Sequence, residues 1–150
     1  MLTTFALILT AVIGGQSSCV PTNWNYPWLK VGSAWFTKLD TPRPWYEQMK
    51  KCGDIEKGRS SIASIRSSEE VKVMKHRFPG QYWMGGFEIE RSGHWLWWNR
   101  GRFEEVKRFF WYRSEPDNAG GHSACMHFYH GWMADGRCDH LLRALCELRC

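Results

Sequence analysis

The sequence predicts one small domain that mixes helices with short strands and is cross-linked by disulfides. Its 150 residues leave room for a single hydrophobic core. Two stretches carry apolar residues at helical spacing, and another alternates apolar with polar residues, which is typical of a half-buried strand. The six cysteines are an even number, as a disulfide framework requires, and all of them follow residue 18.

Residues 1–18 are predicted to be a cleaved secretion signal. Residues 2–13 are mostly apolar and carry no charge, and residues 14–18 include the small side chains that favour signal-peptidase cleavage. A short buried helix is the alternative. The apolar stretch is too short to span a bilayer and no other stretch is apolar enough, so we expect a secreted, extracellular protein that is not membrane-spanning. The mature domain is then 19–150, in an oxidising compartment that favours disulfides over metal-bound cysteines.

Composition limits the function only loosely. The ten tryptophans bury large areas but also offer flat faces to a sugar or a base, so their number does not separate core from binding surface. The formal net charge is +5, and every charged residue follows residue 18. A positive balance suits acidic surfaces or polyanions, and it suits solubility equally well.

A strand followed by a helix is predicted near the start of the domain. Residues 34–39 have strand composition. Residues 40–44 form a helix-start cluster, because a capping side chain precedes prolines that only a first turn tolerates. Trp45 and Cys52 lie on one helical stripe, and Gly53 is expected to end the helix.

A second helix is predicted to begin at Ser67. Ser67 and Glu70 have the spacing of a capping box, while Val71 and Met74 are expected to face the core. Pro79, which a glycine follows, is expected to end the element.

Residues 81–90 are predicted to form the next strand. Phe87 and Ile89 alternate with glutamates, which indicates one solvent-exposed face. The glycine pair, Gly85 and Gly86, indicates a close backbone approach or a bend.

Two stretches cannot be assigned by periodicity. From residue 91 to residue 121 the helical and strand periods both fail, and so long a stretch is usually functional or disordered. Its many aromatic residues argue against disorder, so we expect an ordered functional loop. Residues 141–148 fit a strand or a helix equally well by pattern, and their propensities favour a helix.

A set of markers in chain order carries a resemblance to a known family. It comprises a helix tryptophan and cysteine, a core-strand motif, loop tryptophans, an acidic motif around a proline, and closing cysteines: Trp45 and Cys52, Trp83-Met84-Gly85-Gly86, Trp95 and Trp97, Trp111, Glu115-Pro116-Asp117, and Cys125, Cys138 and Cys146-Glu147. Each marker alone is common, but the ordered set is specific. Over residues 19–150 the chain resembles the C-type lectin-like domain.

The resemblance implies an α+β fold in which two helices flank small antiparallel sheets, with a long ordered loop on top. It implies the disulfides Cys52–Cys146 and Cys125–Cys138. It also makes the undecided tail a strand, against its propensity, because tertiary context commonly overrides propensity.

Cys19 and Cys150 are left over by that pattern. Chain termini lie close together in the family, which implies a Cys19–Cys150 disulfide. The alternative is an intermolecular bridge through either cysteine.

The resemblance also implies a site in the long loop where sugar hydroxyls chelate a calcium ion. Glu115 and Asp117 match the first two side-chain ligands, and Asp135 matches a later one. The intervening proline is cis in the family, so we expect a cis Glu115–Pro116 bond. These three carboxylates are the predicted carbohydrate- and calcium-binding residues. Their motif mixes mannose-type and galactose-type patterns, so it does not reveal the sugar.

The sequence departs from the family at other ligand positions. Ser123 stands where a glutamate ligand is expected, and Ala134 where an asparagine is expected. Calcium takes about six to eight oxygens, and a serine hydroxyl is a poor substitute for a carboxylate. Two hypotheses therefore stay open, a calcium site with fewer ligands and an inherited, solvated turn. A shifted alignment brings in Asp139 instead.

The same loop offers a second way to bind glycans. Five cations are candidate secondary glycan contacts: Arg100, Arg102, Lys107, Arg108 and Arg113. Aromatic residues lie between them. Guanidinium groups suit sulfate, carboxylate or phosphate, and aromatic faces suit sugar rings, so the pattern is typical of a binder of acidic glycans or anionic microbial surfaces. Alternatively the aromatic residues, above all Trp111, pack the loop and the cations are its solvated side.

The pattern does not favour zinc binding or catalysis. His127 and His130 are three apart on a predicted strand and therefore on opposite faces, whereas zinc usually needs four closed ligands. No Ser-His-Asp order, activated thiol or phosphate loop can be placed, so we expect a protein that is not an enzyme.

The predicted function is glycan recognition by a secreted C-type lectin-like protein, through the long loop and a degenerate calcium site. The alternative is a calcium-independent member, toxin-like or of innate defence, that binds proteins or polyanions and has lost sugar chelation. Expected partners are glycans or glycoproteins, with acidic polysaccharides and microbial surfaces as further candidates and no nucleic acid.

Overall fold

The computed structural model describes residues 19–149 of the chain. The expected signal at residues 1–18 and Cys150 lie outside the described residues, so the cleavage and the Cys19–Cys150 pairing stay predictions. Cys19 itself is disulfide-bonded. Within the described part, no helix is long and apolar enough to cross a membrane.

Residues 19–149 form two α-helices and a nine-stranded mixed sheet. In chain order the elements are β1 (Leu29–Val31), β2 (Ala34–Arg43), α1 (Trp45–Ile55), β3 (Ser60–Ile62), α2 (Ser68–Arg77), β4 (Gln81–Glu88), β5 (Trp95–Asn99), β6 (Arg102–Glu105), β7 (Cys125–Tyr129), β8 (Trp132–Gly136) and β9 (Leu142–Arg149). The main strand order is β1-β2-β9-β4-β5-β6, with β3 beside β9 and the β7–β8 hairpin beside β4. The predicted α+β class is confirmed, but β4 and β9 are parallel, so the sheet is not antiparallel throughout.

Helix α1 begins later than the sequence suggested. Residues 40–43 belong to β2, which pairs with β9, so the expected capping cluster is strand. Pro44 precedes the helix without a side-chain cap. The backbone N–H of Trp45 donates instead to the carbonyl of Cys138 (2.9 Å), so a tertiary contact satisfies the first turn.

Helix α1 also ends later than predicted. Gly53 lies inside it, and the helix continues to Ile55. Cys52 and Ile55 are both buried. The apolar stripe therefore continues past the glycine, and its burial outweighs the low helix propensity of that residue.

Helix α2 follows the prediction. The Ser67 hydroxyl accepts a hydrogen bond from the Glu70 backbone N–H (3.1 Å). The Glu70 carboxylate reaches back to the backbone N–H of Arg66 (2.6 Å), one residue before the cap. Val71 and Met74 are buried, as expected.

The glycine pair of β4 marks a close approach, as predicted. A Cβ atom on Gly85 would lie 3.0 Å from the side chain of Ile62, and one on Gly86 would lie 2.8 Å from Met126. The strand ends at Glu88, so Ile89 lies beyond it and is exposed.

The stretch from residue 91 to residue 121 is less irregular than predicted. It contains the β5–β6 hairpin, in which Trp95 and Trp97 are buried. The hairpin turns at Arg100 and Gly101, both with positive φ (48° and 81°), as a tight two-residue turn demands. An arginine at the first turn position is not a familiar hairpin signal, which is why the pattern did not indicate one.

The tail forms strand β9 between β2 and β4, as the resemblance implied. Both implied disulfides are confirmed. Cys52–Cys146 ties α1 to β9 with a Cα–Cα distance of 5.3 Å. Cys125–Cys138 ties the start of β7 to the segment after β8, at 5.1 Å.

Candidate functional site

Three carboxylates from two separate segments converge at one end of the β7–β8 hairpin. Glu115 and Asp117 come from the long loop, and Asp135 comes from β8. Each offers one ligand oxygen, and these oxygens all lie within 4.8 Å of one another. Asp117 is exposed, Glu115 is half-buried and Asp135 is buried. The sequence-predicted site residues are therefore together in space.

Asp135 fixes the shape of the loop. Its Oδ1 accepts a hydrogen bond from the backbone N–H of Asp117 (3.0 Å), and its Oδ2 accepts one from Asn118 (2.8 Å). Asp117 in turn accepts from the N–H of Ala119 through Oδ1 (3.0 Å). Charge-assisted hydrogen bonds of this kind are stronger than neutral ones. The buried carboxylate thus positions the two residues that face solvent.

The carboxyl group of Glu115 has a raised pKa, which reflects its burial and the negative charges around it. Its Oε2 accepts from the backbone N–H of Asp135 (3.4 Å), and the bond to Pro116 is cis, as predicted. Burial, a side-chain hydrogen bond with Asp135 and the charge of Asp117 raise the pKa of Glu115 to about 7. Three like charges in one place favour a proton or a cation between them.

The other family ligand positions do not contribute. Ser123 is buried, and its hydroxyl donates to the carbonyl of Ala119 (2.9 Å), so it faces into the loop. Ala134 is buried in β8. Asp139 is exposed and paired with Arg137 (2.8 Å), and it is not one of the three clustered carboxylates. The shifted alignment is therefore not supported.

Asn118 is a site residue that the sequence analysis did not assign. It has a left-handed φ of 49°, and its side-chain Oδ1 accepts from the backbone N–H of Ser123 (3.1 Å). Asparagine tolerates this conformation better than most residues. The signal for it was present in the sequence, since Asp-Asn directly after a proline is a turn pattern.

The donor set fits calcium in kind but is short in number. Carboxylate oxygens are the ligands calcium prefers, and about six to eight are needed. Both oxygens of Asp135 already accept backbone hydrogen bonds. Solvent or a ligand would have to supply the remaining oxygens, which favours a weaker site than one with five side-chain ligands.

Four of the five predicted cations line two adjacent clefts, which share Glu104, and the fifth contacts a tyrosine ring. Lys107 and Arg108 line a cleft of about 500 Å³, Arg100 and Arg102 line another of about 300 Å³, and Arg113 lies over the ring of a neighbouring tyrosine. Both clefts also contain glutamate. Their positive charge is partly offset, which weakens the case for a polyanion surface.

The loop aromatics divide between packing and exposure. Trp111 contacts the buried Trp95 (5.2 Å between ring centroids) and stacks on Phe109 (5.5 Å). Its backbone also bridges to Met133. Trp111 therefore packs the loop onto the core, whereas Phe103 and Phe109 are exposed.

The two central histidines do not share a strand. His127 lies in β7, but His130 lies in the turn after it with a φ of 46°, so the strand prediction was wrong for His130. The Nδ1 atom of His127 is buried without a hydrogen-bond partner, and burial lowers the pKa of this residue. Among the described residues, the carboxylate trio alone groups three metal-ligating side chains.

The fold has the two helices, the mixed sheet and the long loop of a lectin-type domain. Residues 41–148 match the family model of the lectin C-type domain, and the chain belongs to that family. Members of this family are generally binding proteins rather than enzymes.

The curated relatives that the chain matches have low sequence identity to it. It is 23% identical to the CD209 antigen of Symphalangus syndactylus over 133 residues, which cover 87% of this chain and 33% of that protein. The chain spans between about a quarter and about half of the length of the curated relatives it matches.

Solved structures share the fold. The C-type lectin CEL-I from Cucumaria echinata superposes with a TM-score of 0.70 at 20% identity, covering 85% of this chain and 96% of that one. A calcium-independent type II antifreeze protein superposes with a TM-score of 0.69 at 24% identity, covering 85% and 92%. At these identities the likeness concerns the fold alone.

Proposed function

We propose that this chain is a secreted carbohydrate-binding protein that holds a glycan at Glu115, Asp117 and Asp135. The observation that carries the proposal is the convergence of these three carboxylates, within 4.8 Å, from segments that the chain brings together only by folding. Structural neighbours include a carbohydrate-recognition domain, that of cow CD23, solved in the presence of an oligosaccharide.

Each carboxylate has a separate task in this proposal. Asp117 is exposed and accepts hydrogen bonds from sugar hydroxyls. Asp135 is buried and holds the loop through two backbone N–H groups. Glu115 completes the negative cluster, whose like charges are relieved by a cation. A calcium ion held by these three residues would in turn be chelated by hydroxyl groups of the sugar.

The test compares Asp117→Asn with Asp139→Asn. The first substitution keeps a side-chain oxygen for the Ala119 N–H but removes the charge, so calcium and sugar affinity should fall by at least about tenfold, or roughly 1.4 kcal/mol. Asp139 is an exposed carboxylate outside the cluster, and its replacement should change nothing. Calcium is titrated while tryptophan fluorescence is followed, since Trp111 bridges to a residue close to Asp135.

Immobilised sugars and heparin then separate the mechanisms. Release from a sugar column by a chelator supports a calcium-dependent site. If calcium leaves the tryptophan fluorescence unchanged and the sugar column retains Asp117→Asn and Asp139→Asn equally, the three carboxylates are not the binding site.

A calcium-independent binder is the second candidate. The inward-facing hydroxyl of Ser123 and the alanine at position 134 favour it, because neither provides a calcium ligand. Release by salt alone supports polyanion binding, and no retention on either column supports a protein partner.

Secretion is part of the proposal. Residues 1–18 would be removed as a signal, leaving a domain at 19–150. Two disulfides within the described residues support an oxidising compartment. N-terminal sequencing of protein secreted from eukaryotic cells should begin at Cys19.

A further inference from the structure

Strand β6 leaves one edge of the sheet open. It is last in the strand order and, among the described strands, pairs only with β5. The two-residue turn makes Asn99 and Arg102 a hydrogen-bonded pair of the β5–β6 ladder. The backbone N–H of Val106 donates to the carbonyl of Trp95 (3.0 Å), so these two residues, four positions further along each strand, are also hydrogen-bonded. Bonded pairs alternate along an antiparallel ladder. The backbone N–H and C=O of Phe103 therefore point outward, away from β5.

The side chain at this edge is apolar and exposed. Phe103 is 59% exposed. Its ring contacts Trp98 at 5.1 Å and Phe87 at 5.2 Å between centroids, and Phe87 contacts Trp45 at 6.0 Å. A row of aromatic rings thus runs across one face of the sheet and stops at solvent on its outermost strand.

The charged residues of β6 are complementary to those of a second, antiparallel copy of the same strand. Edge strands are commonly protected by charges that repel another strand. Here an antiparallel copy centred on Phe103 places each Arg102 opposite the Glu104 of the other copy. Within its own chain Glu104 already pairs with Arg66 (2.6 Å), so Arg102 of the second copy would add a further cation beside it. Opposite charges across a strand pair attract. The next register that still pairs the outward backbone groups places Glu104 opposite Glu104 of the second copy. The two carboxylates repel each other, which disfavours that register.

We propose that this chain forms a two-fold symmetric dimer through β6, with the two Phe103 residues paired on the axis. The outward backbone groups of Phe103 then bond to their equivalents, and the two sheets become one. The exposed rings bury each other, and the row Trp98–Phe103 continues into the second copy. The contact is short, so the association should be weak and dependent on concentration. This inference does not rest on the proposed sugar site.

Sedimentation velocity of the secreted protein, at about 1–200 µM in low salt, tests the proposal, since a weak dimer shifts with concentration in this range. Arg102→Glu replaces two cross-strand attractions with repulsions and should weaken the dimer by at least about tenfold. Phe103→Ser should weaken it as well. Lys72→Glu makes a matching charge change on the exposed side of α2, outside β6 and its turn, and should leave the dimer unchanged.

Three outcomes would overturn the dimer. A protein that stays monomeric over the whole range lacks it. A dimer that both Arg102→Glu and Phe103→Ser leave intact uses another surface. A dimer that survives only as a disulfide-linked species on a non-reducing gel arises from cysteines. Near-UV circular dichroism checks that each variant is folded, and because Arg102 is exposed, its variant carries the test if Phe103→Ser unfolds.

Discussion

A single buried carboxylate anchors the N-terminal segment to α1. Glu56 accepts hydrogen bonds from the backbone N–H groups of Thr22 (2.8 Å) and Asn23 (2.7 Å) and is paired with Arg59. Burial alone would raise the pKa of Glu56, but the hydrogen bonds from Asn23, Thr22 and Arg59 outweigh it and hold the value at about 2. The folded state therefore favours the charged form.

We predict that Glu56 makes the domain sensitive to acid. A carboxyl whose pKa is lower in the folded state stabilises the fold above its unfolded pKa, and this contribution is lost as pH falls toward about 2. The loss should be about 2–3 kcal/mol. In Glu56→Gln it should be absent, so unfolding by urea at pH 7 and pH 3 should differ less than in the wild type.

Glu47 provides the matched control. It is exposed on α1, the helix that Glu56 directly follows, so Glu47→Gln should retain the acid sensitivity of the wild type. Equal pH dependence in the wild type and Glu56→Gln would contradict the anchoring role of Glu56.

The sequence predicted which three carboxylates would lie together, but not the contacts that each of them makes. The spacing of Glu115, Asp117 and Asp135 matched a family motif, so their identities followed from the resemblance. That both oxygens of Asp135 bind the loop backbone follows from how β8 meets the loop. No local pattern contains that contact, because the partners are far apart in sequence.

At the level of elements, patterns located helices better than their ends. The stripe of α1 was visible, but its start depended on β9 pairing with residues 40–43, which is a long-range contact. The five cations looked like one patch because they are close in sequence. In the fold, Arg100 and Arg102 at the β5–β6 turn line one cleft, Lys107 and Arg108 after β6 line a second, and Glu104 lies in the wall of both.

Two glycines test these element assignments in opposite directions. A Cβ on Gly53 would meet nothing within 4 Å, and this residue lies inside α1, so Gly53→Ala should stabilise by about 0.5–1 kcal/mol. A Cβ on Gly86 would lie 2.8 Å from Met126 in the core, so Gly86→Ala should destabilise by about 1–3 kcal/mol.

Thermal and chemical unfolding of the two variants measure these changes directly. Destabilisation by Gly53→Ala would mean that this glycine ends the helix, as its sequence pattern suggested, rather than lying within it.

At the scale of the whole molecule, the two disulfides that join described residues act on different parts. Cys52–Cys146 closes a separation of 94 residues and links α1 to the central strand β9. Cys125–Cys138 closes a separation of 13 and brackets the hairpin that carries Asp135. The first therefore constrains the unfolded chain more than the second does, while the second lies next to the proposed site.

We predict that removing Cys52–Cys146 mainly lowers the free energy of unfolding, whereas removing Cys125–Cys138 mainly lowers the binding affinity. Under the chain-entropy model, Cys52→Ala with Cys146→Ala should cost about 4–5 kcal/mol, and Cys125→Ala with Cys138→Ala about 3 kcal/mol. The second pair should cost more in sugar or calcium affinity, because Asp135 and the loop that it holds depend on the bracketed hairpin. Urea unfolding and binding are measured on the same samples. If the first pair proves too unstable to fold, the second still decides the point, since unchanged binding after the loss of Cys125–Cys138 would show that the hairpin holds the site without its disulfide.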